Sequence, residues 1–150
     1  MRYILGVMVF LSGLWFMILI TAGNMVAALV FIDLPTIAGS LLAVYAVVII
    51  TGESKTFVMG VNAVLSQDYS ISDTNREKAI QLFKLLKETV IYASLLYAMS
   101  GFVFLLILSD PGDWRPMLAI SILSIFYGAL VNVVFICPAI AILKKRTATS

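Results

Sequence analysis

Histidine is absent from this 150-residue chain, and cysteine occurs once, as Cys137. Without an imidazole the chain lacks the usual base near pH 7 and the commonest zinc ligand. One thiol forms no internal disulfide framework. Cys137 lies inside an apolar run, where a free thiol acts as a small inert hydrophobe. Charge is scarce as well: Asp, Glu, Lys and Arg make up 12% of the residues, against about 25% in soluble domains. The net charge is only +2, with Lys and Arg scattered and no basic patch interleaved with aromatics, so nucleic acid is not an expected partner. The long apolar stretches contain no Asp, Glu, Lys or Arg in their interiors. They therefore offer no general base or activated nucleophile, and the chain reads as a non-enzyme needing neither cofactor nor metal. Asp110 and Asp113 sit in an Asp-Pro-Gly turn sequence and read as turn formers.

What the chain has in abundance is hydrocarbon. Apolar residues make up 62% of it and the mean hydropathy is +1.08, so a bilayer is its natural solvent. A membrane helix needs about 20 mostly apolar residues. Four segments qualify, at about 3–23, 34–51, 90–108 and 117–143, which predicts an all-α, four-span membrane domain over 1–150. The first run is too long for a signal-peptide core and lacks a convincing cleavage site, so it reads as a retained span. The apolar stretch 24–32 either lengthens that helix or forms a short interfacial turn. Asp33 and Pro35 mark the start of the second helix. Arg2, the cations of 52–89, and Lys144, Lys145 and Arg146 all fall on one side, while Arg115 alone falls on the other. By the positive-inside rule both termini and the 52–89 connection face the cytoplasm.

Within that connection, 52–70 reads as a short amphipathic piece ending in a loop. Thr74 and Glu77 then stand at capping-box spacing. Ala79, Phe83, Leu86 and Val90 follow at helical spacing, with Lys84 and Glu88 as an i,i+4 pair on another face. Nothing breaks the pattern before Leu108, so the spacing predicts one helix over 74–108, about 52 Å long at ~1.5 Å per residue. The last four residues, Thr147 to Ser150, are a low-complexity end.

The polar content of the spans is small and hydroxylated. Ser121, Ser124, Gly128 and Asn132 step by three or four and form one stripe, with Tyr127 beside it. Ser94, Ala98 and Gly101 form a second stripe in the third span. Two readings stand open: close helix packing, for which small residues are enriched, or a narrow polar path. Asn132 favours the second, because an amide in hydrocarbon must find a partner. Pro138 removes a backbone donor and bends the last helix near its end.

Three passages give the chain a resemblance to the MotA/TolQ/ExbB proton-channel family, and within it to flagellar stator subunits. "FIDLPT" at 31–36 resembles the family's signature before its second helix. "DPGDWRPMLAISILSIFYG" at 110–128 is similar to its Asp-Pro turn and fourth-helix pattern, including Asp110, Pro111, Pro116, Ala119, Tyr127 and Gly128. Pro138 falls at the family's fourth-helix proline. The resemblance implies a homopentamer in the bacterial inner membrane, around two copies of a MotB/TolR/ExbD-like single-span partner. That partner supplies the membrane Asp, and ion flow at the boundary turns the pentamer around its axle. Ser124 matches the first of the paired fourth-helix hydroxyls and is the candidate to face the partner's Asp. Ser121, Tyr127, Gly128, Asn132, Ser94, Ala98 and Gly101 complete the implied ion-path face. The second hydroxyl position is Ile125, and Tyr97 or Ala98 stands where the family commonly has Thr. Fewer oxygens weaken a sodium site more than a proton relay, so H+ is expected over Na+. Asn132 stands one place earlier than the family's Asn, and residues 52–89 are far shorter than the stator's rotor-gripping domain. A non-conducting four-helix scaffold that stabilises a membrane partner is the alternative. A transporter with a cavity between helices is a weaker third reading, since no charged anchor is present.

Overall fold

The computed structural model describes residues 2–25, 32–66, 69–108 and 114–146. Every regular element in them is helical. Helix α1 runs Arg2–Ala22, α2 Leu34–Ile50, α3 Ser54–Leu65 and α4 Asp73–Leu108. Helix α5 runs Trp114–Val131, passes through a π-helical turn at Asn132–Ile136, and continues as α6, Cys137–Lys145. Among the described residues three stretches are long and apolar enough to cross a membrane: Tyr3–Ala22, Asp73–Ile107 and Ser121–Lys145. The expected second span is a shorter apolar helix of 17 residues, α2, about 26 Å long at ~1.5 Å per residue. Asp110, Pro111, Asp113, most of the 24–32 stretch and the last four residues lie outside the described residues.

Local chemistry sets the helix boundaries. Gly23 ends α1 at φ 72°, and its N–H reaches Leu19 O at 3.1 Å. Only glycine takes that left-handed step without strain. Gly52 does the same after α2 at φ 69°. Its N–H bonds Ile49 O at 3.0 Å while the Glu53 N–H bonds Val48 O at 3.2 Å, which is a Schellman closure. Helices α2 and α3 begin alike: the Thr36 hydroxyl donates to the Asp33 carboxylate, and the Thr56 hydroxyl donates to Glu53. Pro35 occupies the first turn of α2, where a missing N–H costs nothing.

The cap expected at Thr74 lies two residues earlier, at Ser72. Helix α4 starts at Asp73, with the Ser72 carbonyl accepting from the Arg76 N–H at 2.8 Å. The Ser72 hydroxyl accepts from the Asn75 N–H at 3.4 Å. Ser72 wins because it places Asp73 in the first turn, where a carboxylate complements the helix dipole. Lys84 and Glu88 do not pair; they are exposed and solvated. Among the described residues the one ion pair is Arg76 with Asp73, at 2.8 Å.

The apolar core sits at the cation-rich end. Ala79, Phe83, Leu86 and Val90 of α4 are buried as the spacing predicts, and they pack with Ala63 and Val64 of α3 and with Ala139 and Leu143 of α6. Gly60 lets α3 cross closely, since a Cβ there would lie 2.7 Å from the Phe83 ring. Arg146 clasps the same end: its guanidinium donates to Tyr69 O at 2.6 Å and to Ser66 O. The Arg76 guanidinium in turn donates to Arg146 O. The ends of α3, α4 and α6 are thereby tied together by carbonyl–guanidinium bonds. Arg146→Ala should lower the stability of the detergent-solubilised protein by about 1–3 kcal/mol, read as an earlier thermal unfolding transition. Lys145→Ala, which removes a cation outside the clasp, should leave the transition in place.

Candidate functional site

The two small-residue stripes meet each other. Helices α4 and α5 run antiparallel. A Cβ built on Gly128 would overlap the Ser94 hydroxyl and stand 2.6 Å from Ser94 Cβ. One built on Gly101 would overlap the Ser121 hydroxyl and stand 3.3 Å from Ser121 Cβ. Each helix thus offers one glycine and one serine, and each serine fills the gap above the other helix's glycine. Both pairs are separated by seven residues, two helical turns, so the crossing is a heptad seam. By the same register Ala98 lies opposite Ser124, and Val90 opposite Asn132.

Burial follows the seam. Ser94, Ala98, Ser121, Ser124, Tyr127, Gly128 and Asn132 are all buried, and Gly101 is half-buried. The Ser94 hydroxyl donates to Val90 O at 2.6 Å, and Ser40 on α2 donates to Thr36 O at 3.0 Å. Serine is affordable at these depths because it back-bonds to its own helix. Ser121, Ser124 and Tyr127 also have interaction partners.

Asn132 differs. It is 5% exposed, and neither its side-chain nitrogen nor its oxygen has a hydrogen-bond partner. It opens the π turn, whose wider winding precedes Pro138 in the first turn of α6. The expected break in the last helix therefore starts six residues ahead of the proline, as a change of winding. Pro138 has no N–H for the Val134 carbonyl. The Tyr3 hydroxyl of α1 takes up that slack, donating to Val134 O at 3.3 Å and Phe135 O at 3.4 Å. π turns inside α-helices concentrate at functional positions.

Asp33 was expected to mark the start of the second helix, and it stands there as the residue ahead of Leu34. The Asp33 N–H donates to the Tyr127 hydroxyl at 3.0 Å, and the Tyr97 hydroxyl donates to Gly39 O at 3.2 Å. Tyr127 is about 20 Å along α5 from Trp114, and Tyr97 about 16 Å along α4 from Leu108, at ~1.5 Å per residue. Helix α2 therefore starts well inside the far ends of α4 and α5, and its half-buried Asp33 comes with it. The sequence conceals this because Asp-x-Pro reads as an ordinary helix start. Its only signal is that α2 is short. Pro116 falls in the first turn of α5. Cys137 is half-buried and free.

The seam makes a definite prediction. Gly128→Ala should destabilise the protein by about 1–3 kcal/mol through overpacking, and Ser94→Gly in the same chain should restore most of it. Thermal unfolding of the two single variants and the double variant would measure that coupling. Asn132→Leu, which keeps the branching at Cγ and removes the unpaired amide, should raise stability by about 1–3 kcal/mol in the same assay. No family model matches this chain, and neither a curated protein nor a solved structure is detectably similar to it.

Proposed function

We propose that the chain is a four-span subunit of an ion-driven membrane assembly resembling the MotA/TolQ/ExbB channels. Five copies surround a single-span partner, and proton flow is coupled to movement of the pentamer about that partner. Helix α2 makes the fourth crossing together with the segment that leads into Asp33. The cation-rich end is cytoplasmic by the positive-inside rule, and the membrane is the bacterial inner membrane. A proton is the transported ion, since a relay needs fewer oxygen ligands than a bound Na+.

One observation carries the reading: the unpartnered Asn132 amide at the π turn. A buried amide without a partner costs roughly 1–3 kcal/mol, and a passive scaffold would shed that cost with a leucine. The hydroxyls of Ser94, Ser121, Ser124 and Tyr127 lie along the same seam, so polar groups recur through the membrane depth of α4 and α5. The partner's carboxylate, neutral when protonated, passes the apolar wall at low cost. Its proton leaves toward the cation-rich end near Ser124 and Asn132. Asp33 is held by the Thr36 hydroxyl and serves the start of α2.

The scaffold reading has its own support: the stripes bury one another within a single chain, as a packing surface would. Two experiments separate the readings. Particle imaging of the complex from native membranes should count five copies with density on the central axis; a monomer, or a ring with an empty axis, refutes the motor. Ser124→Ala keeps the volume of the seam and removes only the hydroxyl. It should cut partner-dependent proton flux in vesicles at least tenfold with the copy number unchanged, whereas unaltered flux would take Ser124 out of the path.

A further inference from the structure

A cavity of about 520 Å³ lies at the cation-rich end, between the first turns of α1 and the body formed by α2, α3, α4 and α6. Its walls are apolar, with Ile4, Met8, Leu41, Phe57, Val61 and Phe135 among them. That size is within the ~300–1,000 Å³ of small-molecule sites. The space is open to the outer surface, and its walls offer water few hydrogen-bond partners.

The opening shows what surrounds it. Met8 is 61% exposed and Leu41 57%, and Ile4 and Phe135 are also exposed, so the wall residues belong to the outer surface as well. That surface is the face of α1, an apolar helix of which 0% is buried over its most hydrophobic window. For a membrane-spanning helix such a face is solvated by lipid, and the cavity is a continuation of it. Two of the elements that wall it carry cations: α3 has Lys55 two residues before Phe57, and α6 ends in Lys144 and Lys145.

We infer that the cavity holds an acyl chain of a membrane phospholipid, with the headgroup phosphate at the cation-rich end near Lys55, Lys144 and Lys145. Transfer from bilayer to cavity gains little hydrophobic energy, since both are hydrocarbon. The gain is dispersion contact: the lining regains the neighbours an empty space denies it, and the basic residues attract the anionic headgroup. The lipid then acts as a filler between α1 and the rest of the protein, which otherwise meet through few side chains. The inference needs the membrane location of the chain and is independent of any partner or ion flow.

The test uses the full chain, extracted from its membrane in mild detergent and weighed intact with its ligands. Wild-type protein should retain one phospholipid mass per copy after exchange into lipid-free detergent. Val61→Phe and Leu41→Phe enlarge two separate walls into the cavity; each should reduce the retained lipid at least tenfold with the helical circular-dichroism spectrum unchanged. Against a misfolding variant, a second measurement uses Phe57→Trp with Trp15 and Trp114 replaced by Phe. Vesicles of phospholipid brominated on the acyl chain should quench that tryptophan, and adding Val61→Phe should relieve the quenching. Wild-type protein free of phospholipid, or equal retention by wild-type and filled variants, overturns the inference. So does a lipid-free dimer that the filled variants convert to monomer, which would assign the cavity to a second copy.

Discussion

The close approach of α4 and α5 is the constraint on which the other contacts rest. In lipid, helices gain nothing by hiding apolar surface from one another, so association depends on how near the backbones can come. Gly101 and Gly128 supply the nearness, and Ser121 and Ser94 supply a side chain small enough to fill what remains. Each further helix leans on this pair. Helix α2 is hung from it by two tyrosines, Tyr127 on α5 and Tyr97 on α4, both bonded to the α2 backbone or its leading residue. Helix α1 is attached more lightly, through Tyr3 at the π turn.

Two kinds of cohesion divide the molecule along its length. Toward the far ends the described helices present Leu, Ile, Val and Phe outward and touch through small residues. Toward the cation-rich end the pattern inverts: Leu86, Val90 and Leu143 are fully buried and polar residues face outward. The second region is built as a soluble helical core is built, by burial from water at about 25 cal/mol per Å². Its guanidinium clasp meets the carbonyls of Ser66, Tyr69 and Arg146, which lie beyond the helix ends. The long α4 joins the regions because its amphipathic first half and apolar second half share one unbroken backbone.

Much of this arrangement is legible in the sequence because it rests on periodicity. The positions of Ala79, Phe83, Leu86 and Val90 fix the buried face of α4, and the absence of any breaker fixes its length. The steps of three and four among Ser94, Ala98, Gly101, Ser121, Ser124 and Gly128 identify two stripes. That the stripes oppose each other is a question of partner and register, which a list of spacings does not contain. The cap at Ser72 depends on competition between neighbouring hydroxyls. The depth of Asp33 is harder still, since it is set by tyrosines more than fifty residues away. The π turn has only Pro138 as its signal, and that signal points to the wrong residue.

The π turn has a geometric corollary. A residue inserted into an α-helix adds about 100° of rotation at 3.6 residues per turn, and five residues wound as π absorb such an insertion locally. Ala139 and Leu143 point into the apolar core on the strength of that absorbed rotation. Deleting one residue between Asn132 and Ile136 would let the winding relax to α and leave the final nine-residue helix facing as it does, whereas an α winding that kept all five residues would turn that helix roughly a quarter-turn about its axis. In that second case Leu143 would leave the core and Arg146 would swing off its carbonyls. The wide winding therefore conceals one extra residue and keeps the last helix set against its neighbours.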